Sequence, residues 1–284
     1  MPEIDGPGAP MTHTAPANLL PAIPPYAGRL GGIQDFVLDP NDPANAAELK
    51  RVPDAAPLMS YSQLIDLRGF VQHELWEAAV MEGVGTFLLV YSTILSSIHP
   101  APALTSGPTS PAGVFGTAAF FGPLIGGITS WILVTLFIYS FSGVTGGHLN
   151  PMITIATFVA RLTSLPRMVL YVTFQIVGAS IGGILLRASY ESRTFDVGGC
   201  GVNTALVSLG QAFSIEFTCS LTVLFFAFGV GLDPRQRKIF GPALAPALVG
   251  LAVGVISFGS AFTIPGYEGA CKLLQRHGGI NVRF

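Results

Sequence analysis

Five stretches long and apolar enough to cross a hydrocarbon layer constrain this chain more than anything else in it. They run over roughly 78–98, 119–142, 168–188, 210–232 and 239–262, and a spanning helix needs about 20 such residues. In lipid no water meets the backbone polar groups, so each stretch is driven into a helix. The fold class that follows is an all-α polytopic membrane protein. Charge agrees with it, because only 11% of residues are charged where a soluble domain carries about 25%. Residues 1–82 hold four basic and eleven acidic residues of a chain total of 14 and 16, so the depletion falls on the remainder. The 34 glycines suit helices that approach closely in a membrane.

Other classes fall away. The three cysteines, Cys200, Cys219 and Cys271, stand in no metal-ligand spacing and form no redox pair. A net charge of −2 leaves no basic footprint for nucleic acid. No metal or cofactor is implied. Eleven of the 22 prolines fall within residues 1–70, without sustained apolar periodicity, so residues 1–75 read as a disordered Pro-rich tail. It has no basic region followed by an apolar core, and so is not a signal peptide. A short amphipathic piece around Tyr61–Glu77 is expected at the membrane surface.

Between the second and third stretches lies a sixth apolar piece, Asn150–Ala160. At a rise of about 1.5 Å per residue it reaches only halfway across. A half-length helix that begins at a Gly-rich turn is expected to be re-entrant and to line a cavity. Lys and Arg set the orientation. Four precede the first span, two lie at 161–167 and three at 235–238, against none at 99–118 and two at 187–193. The richer side carries the amino terminus, which is therefore expected to be cytoplasmic.

The chain also repeats. Glu82 is followed one turn later by Thr86, and Glu216 by Ser220; Phe121-Gly122-Pro123-Leu124 opens the second span, and Phe240-Gly241-Pro242-Ala243-Leu244 the fifth. Spans one and two then correspond to four and five, with the second half inverted, the plan of many channels and transporters. Asn150 lies 27 residues after Pro123, so a second turn and half-helix are expected near position 269.

The turn before the half-helix reads Gly143-Val144-Thr145-Gly146-Gly147-His148-Leu149-Asn150-Pro151-Met152. Asn caps a helix start, and Pro suits the first helical position. Gly-Gly-His-Leu-Asn-Pro-Met resembles the first Asn-Pro-Ala box of the aquaporin and aquaglyceroporin (major intrinsic protein) family, with Met152 in place of Ala. The intramembrane glutamates, and Gln175 with Gly178, Gly182 and Gly183, are similar to it too. Gly231-Leu232-Asp233-Pro234-Arg235 resembles a loop of fungal members. The likeness covers about residues 76–270.

The resemblance implies an aquaporin-like inverted repeat, over residues 76–263, and passive transport of water, glycerol or another small uncharged solute. Asn150, Pro151 and Met152 would form the pore motif, with Asn150 donating to the solute. Gly147, His148 and Leu149 would line the pore through their carbonyls, joined by Ser130 and Ser257 at the constriction. Glu82, Glu216 and Gln175 would support the loops. The imidazole of His148 also reads as a buried, hydrogen-bonded side chain. The partners implied are lipid, a small neutral solute and further copies of the chain, a tetramer by family analogy, in the plasma or vacuolar membrane.

The resemblance also expects an Asn-Pro-Ala-Arg box near 269–273 and a sixth span. Residues 264–284 carry neither, so the chain reads as truncated before the second box, with five full spans, one re-entrant half-helix and the sixth span missing. The alternative is a nonconducting truncated relative that associates with or regulates full-length channels. An enzyme built on Glu82, Glu216 and His148 has no nucleophile and base pair, metal spacing or phosphate loop to support it.

Overall fold

The computed structural model describes residues 23–31, 37–97, 118–189, 205–236 and 239–261. Among them every regular element is helical. Two short helices, α1 (Ala46–Arg51) and α2 (Tyr61–Leu64), precede α3 (His73–Ser97), α4 (Ala118–Phe141), α5 (Pro151–Val159), α6 (Leu165–Ser189), α7 (Leu209–Phe226) and α8 (Gly241–Ser260). Five are long and apolar enough to cross a membrane: α3, α4, α6, α7 with the π-helical turn Ala227–Leu232 that continues it, and α8. Only α5, at nine residues, is half-length. Among the described residues there are thus five helices long enough to span and one half-length helix. The expected second box and the segment 264–284 lie outside the described residues.

Boundaries shift where polar chemistry overrides hydropathy. The first span begins at His73 rather than near 78, since an exposed polar turn with a His73–Glu77 contact of 3.3 Å extends the helix beyond its apolar stretch. The domain boundary placed at 76 therefore falls inside α3. In α7, Ser208 and Gln211 form a reciprocal capping box, which meets two of the orphan amides at a helix start.

Glycine decides how the spans pack. A Cβ on Gly178 of α6 would stand 2.1 Å from the carbonyl oxygen of Gly83 on α3, and one on Gly254 of α8 would stand 2.6 Å from that of Gly127 on α4. Those are the two most extensive helix pairs, α3 with α6 and α4 with α8. Van der Waals packing at backbone distance supplies the association that the hydrophobic effect cannot supply in lipid. Trp131 on α4 adds a hydrogen bond from its Nε1 to the Ala247 carbonyl at 3.0 Å.

The disordered tail expected over 1–75 is not what residues 23–31 and 37–75 do. Pro43 and Pro53 start 3-10 turns, where a fixed φ and a missing N–H cost nothing. Tyr26, Ala27, Arg29, Leu30, Asp54 and Ala55 are buried. Pro43 and Pro53 mark tight turns, and the described residues Tyr26, Arg29 and Asp54 are held by contacts with residues more than 100 positions away, which no local pattern records. The amphipathic piece around 61–77 divides into α2, a 3-10 turn over Leu67–Val71 and the first turn of α3. It leaves Tyr61, Ile65, Leu67 and Val71 exposed.

Candidate functional site: the re-entrant loop and its mouth

The site is built on the loop from Ser142 to Asn150, which enters the bundle after α4 and returns as α5. Its backbone is left-handed at Gly146 (φ +99°), Gly147 (+67°) and Leu149 (+49°). The two glycines adopt that region freely. Leu149 does not, and its strain is held by what surrounds it. Asn150 is the N-cap of α5: its Oδ1 accepts the Met152 N–H at 2.9 Å, and Pro151 fills the first helical position.

Glu82 holds the loop. Fully buried on α3, its Oε1 accepts from the Thr145 hydroxyl and from the His148 N–H at 3.1 Å. Its Oε2 accepts from the Leu149 N–H at 2.7 Å and from Gln175 Nε2 at 2.8 Å. Four donors, two per oxygen, satisfy a carboxylate buried away from water. No peptide bond among the described residues is cis. With the His148 and Leu149 amides turned to Glu82, the carbonyls of Gly147 and His148, on the far sides of the same trans peptide planes, point away from it. Thr86, one turn on, is buried but makes no hydrogen bond among the described residues.

A cavity of about 90 Å³ lies beside this loop. His148, Leu149, Asn150, Met152 and Ile153 form one wall, Val90 and Thr93 of α3 and Ser130, Val134 and Ile138 of α4 another, and Val249, Val253 and Ser257 of α8 a third. Ser130 and Ser257, expected from sequence, both line it; Gly147 does not. Gln175 serves Glu82 and Thr154. Glu216 is half-buried on α7, and the segment expected to contain its loop lies outside the described residues.

His148 is tied at both ring nitrogens. Nδ1 pairs with the Thr154 hydroxyl at 3.1 Å, while Nε2 lies 2.7 Å from the Gly28 carbonyl oxygen and 3.2 Å from the Tyr26 hydroxyl. The latter two belong to the segment expected to be disordered tail. Residues 26–31 are buried at the end of the bundle where α3 begins and α4 ends. Leu30 lines the cavity. It also belongs to the apolar cluster of Ile138, Met152, Ile153, Val223, Ala227, Leu232 and Val249, and its N–H donates to the Gly146 carbonyl at 2.8 Å. Arg29 Nη1 donates to the Ser142 and Gly143 carbonyls at the end of α4. Burial, and then the nearby Arg167, lower its guanidinium to about 10.

Behind Tyr26 stands a buried ion pair. Arg167, at the start of α6, donates Nε to Asp54 Oδ2 at 2.7 Å and Nη2 to Oδ1 at 3.0 Å, a bidentate pair. The Ser164 hydroxyl donates to the same carboxylate at 2.8 Å. Burial alone would raise the Asp54 carboxyl, but Arg167 and Ser164 outweigh it and hold it below its ordinary value of 3.8. The guanidinium lies 4.2 Å from the centre of the Tyr26 ring. Its Nη1 donates to the Tyr171 hydroxyl, which donates to the Thr145 carbonyl at 2.7 Å. Hydrogen bonds thus run unbroken from Asp54 to the loop that Glu82 holds. The apolar runs, the Asn150 box and Glu82 announce themselves locally; Tyr26, Leu30, Asp54 and Arg167 find their partners across the chain.

A membrane-spanning helical bundle with a re-entrant half-helix, capped by an Asn beside a narrow cavity, is the class that this fold and site define. Residues 70–267 match the family model described as major intrinsic protein, and the chain belongs to that family, whose members are channels, not enzymes. It is 32% identical over 233 residues to the probable aquaporin PIP2-1 of Oryza sativa subsp. japonica, covering 78% of this chain and 75% of that one. To aquaporin PIP2-5 of Zea mays it is 33% identical over 223 residues, covering 75% and 73%. Both of these relatives are plant proteins.

Proposed function

We propose that the chain is a passive channel for water, in the class that also admits other small uncharged solutes such as glycerol. The observation that carries this reading is Asn150 at the head of α5. Its Oδ1 is occupied by the Met152 N–H, which leaves the Nδ2 amide to donate to a solute in the adjoining cavity. The start of α5 presents the positive end of a helix dipole, and the His148 carbonyl, turned from Glu82 on the cavity wall, can replace hydration while that dipole opposes cations and protons. Both relatives are named aquaporins, which supports the reading.

The end of the bundle carrying the amino terminus is cytoplasmic in this proposal, by the excess of Lys and Arg there. Ser130 and Ser257 form the polar part of the constriction, and the assembly is a homo-oligomer, a tetramer by analogy.

Osmotic shrinkage of reconstituted vesicles tests the function. Vesicles holding the chain should shrink faster than empty ones. Glycerol in place of an impermeant osmolyte reads selectivity. No gain, together with co-purification of a full-length channel, would favour the reading as a nonconducting associate.

A further inference from the structure

A second cavity, of about 270 Å³, lies between α1, the 3-10 turn Leu67–Val71 and the start of α6, and shares no lining residue with the one beside Asn150. Gln72 donates to the Arg51 carbonyl and so holds α1 against that turn. The lining carries four basic side chains, Lys50, Arg51, Arg68 and Arg167, against two acidic ones, Asp54 and Asp66. Arg167 pairs with Asp54, and Arg68 with Asp66. Arg51 meets Glu48 at 2.8 Å and Glu74 at 2.9 Å, neither of which lines the cavity. Lys50 enters no ion pair among the described residues. The excess positive charge of the lining therefore falls on Lys50 and Arg51. Exposed ion pairs such as those of Arg51 and Arg68 are worth little, so both guanidinium groups can turn to a phosphate, which the planar fork fits bidentately.

The rim of this cavity is apolar. Val71 lines it and is 87% exposed. Tyr61, Ile65 and Leu67 are exposed as well, while Leu64 among them is buried. Apolar side chains gathered at a surface in this way mark a contact site. Trp76, in the first turn of α3, donates its Nε1 proton to the Phe70 carbonyl at 2.8 Å. It heads a row of exposed residues at four-residue intervals, Trp76, Val80, Val84 and Leu88, which is the face that the span turns to lipid. A tryptophan at the head of such a row stands where bilayer meets water. Basic cavity, apolar rim and lipid-facing row thus follow one another in the order of a phospholipid's headgroup, glycerol region and chains. We infer that the cavity seats the phosphate of an anionic phospholipid, held by Lys50, Arg51 and Arg68, with its acyl chains against Val71, Trp76 and the outer row of α3. The apolar rim argues for a lipid over a soluble anion, which would gain nothing from it. This inference rests on the membrane-spanning class of the fold and not on conduction.

The test uses the full chain in vesicles of phosphatidylserine and phosphatidylcholine. The chain has two tryptophans, so Trp131→Phe leaves Trp76 as the reporter. Bromine near the top of the acyl chains quenches a tryptophan in contact with them. Quenching is compared between vesicles in which only phosphatidylserine is brominated and vesicles in which only phosphatidylcholine is, at equal mole fractions. A several-fold preference for phosphatidylserine at Trp76, weakened by salt, is the expected result. Lys50→Gln with Arg51→Gln and Arg68→Gln should bring it to parity, whereas Arg51→Lys with Arg68→Lys, which keeps the charges, should retain most of it. All three positions are exposed, and an unchanged thermal midpoint in detergent separates loss of the site from unfolding. Equal quenching by the two brominated lipids in the intact chain overturns the proposal, as does a preference that survives the three glutamines. Absence of quenching by either lipid overturns it too, because Trp76 then stands out of the bilayer. Inorganic phosphate that abolishes the preference at constant ionic strength would assign the cavity to a soluble anion and overturn the lipid.

Discussion

The carboxylate of Glu82 accepts the backbone N–H of Leu149 at 2.7 Å, and through that bond a membrane helix fixes the direction of a loop more than sixty residues away. A buried carboxylate without its donors is costly, and so are buried donors without it. Glu82→Ala should therefore lower stability by on the order of 3 kcal/mol and loosen the Gly146–Asn150 backbone. Thermal unfolding in detergent reads the first effect, and hydrogen exchange at His148 and Leu149 the second. Glu82→Gln, which keeps an acceptor oxygen, should lose less.

Asn150→Ala removes the cap of α5, a loss of about 1 kcal/mol, and with it the amide proposed to meet the solute. Water permeability should fall much further than stability does. Equal losses in both would mean that Asn150 is a helix cap and nothing more.

Gly178→Val forces a side chain into the carbonyl of Gly83, 2.1 Å from where a Cβ would sit. Overpacking of this kind costs about 1–3 kcal/mol. Because backbone rather than a flexible side chain is in the way, the value should lie at or above the upper end. A drop in thermal midpoint far larger than that of Gly126→Val, where a Cβ meets open space, is the expected comparison.

Asp54 faces Arg167 and Ser164, with Tyr26, Tyr171 and Arg29 close by, and its carboxyl ionises below the ordinary 3.8. A depressed carboxyl contributes stability that is fully present above the unfolded value and is lost as pH falls through the folded one. This pair should leave the thermal midpoint flat between about pH 5 and 8 and lower it below about pH 4. Asp54→Asn should flatten that acid limb. A midpoint that varies equally in both proteins across the acid range would show that Asp54 does not set the acid limb.

The spans and the Asn150 box are legible in sequence because hydropathy and capping are local. Glu82 is legible as well, since an acidic residue amid apolar ones has few fates in lipid. The placement of residues 26–31 is not. Tyr26 and Leu30 sit among prolines without periodicity, and their burial depends on Gly146, Thr163 and Gly231, residues remote in sequence. Asp54 follows Pro53 in what reads as a polar turn, and only its bidentate partner on α6 reveals it as buried. Prolines that look like the mark of disorder instead begin turns that bring the chain back to the bundle.

The central claim, a solute path beside Asn150, is tested most directly by the osmotic water permeability of vesicles holding this chain. Shrinkage faster than that of empty vesicles, less dependent on temperature than bare lipid, and abolished when Asn150→Ala is added is the expected result. Folded, inserted protein that leaves shrinkage at the empty-vesicle rate would contradict it.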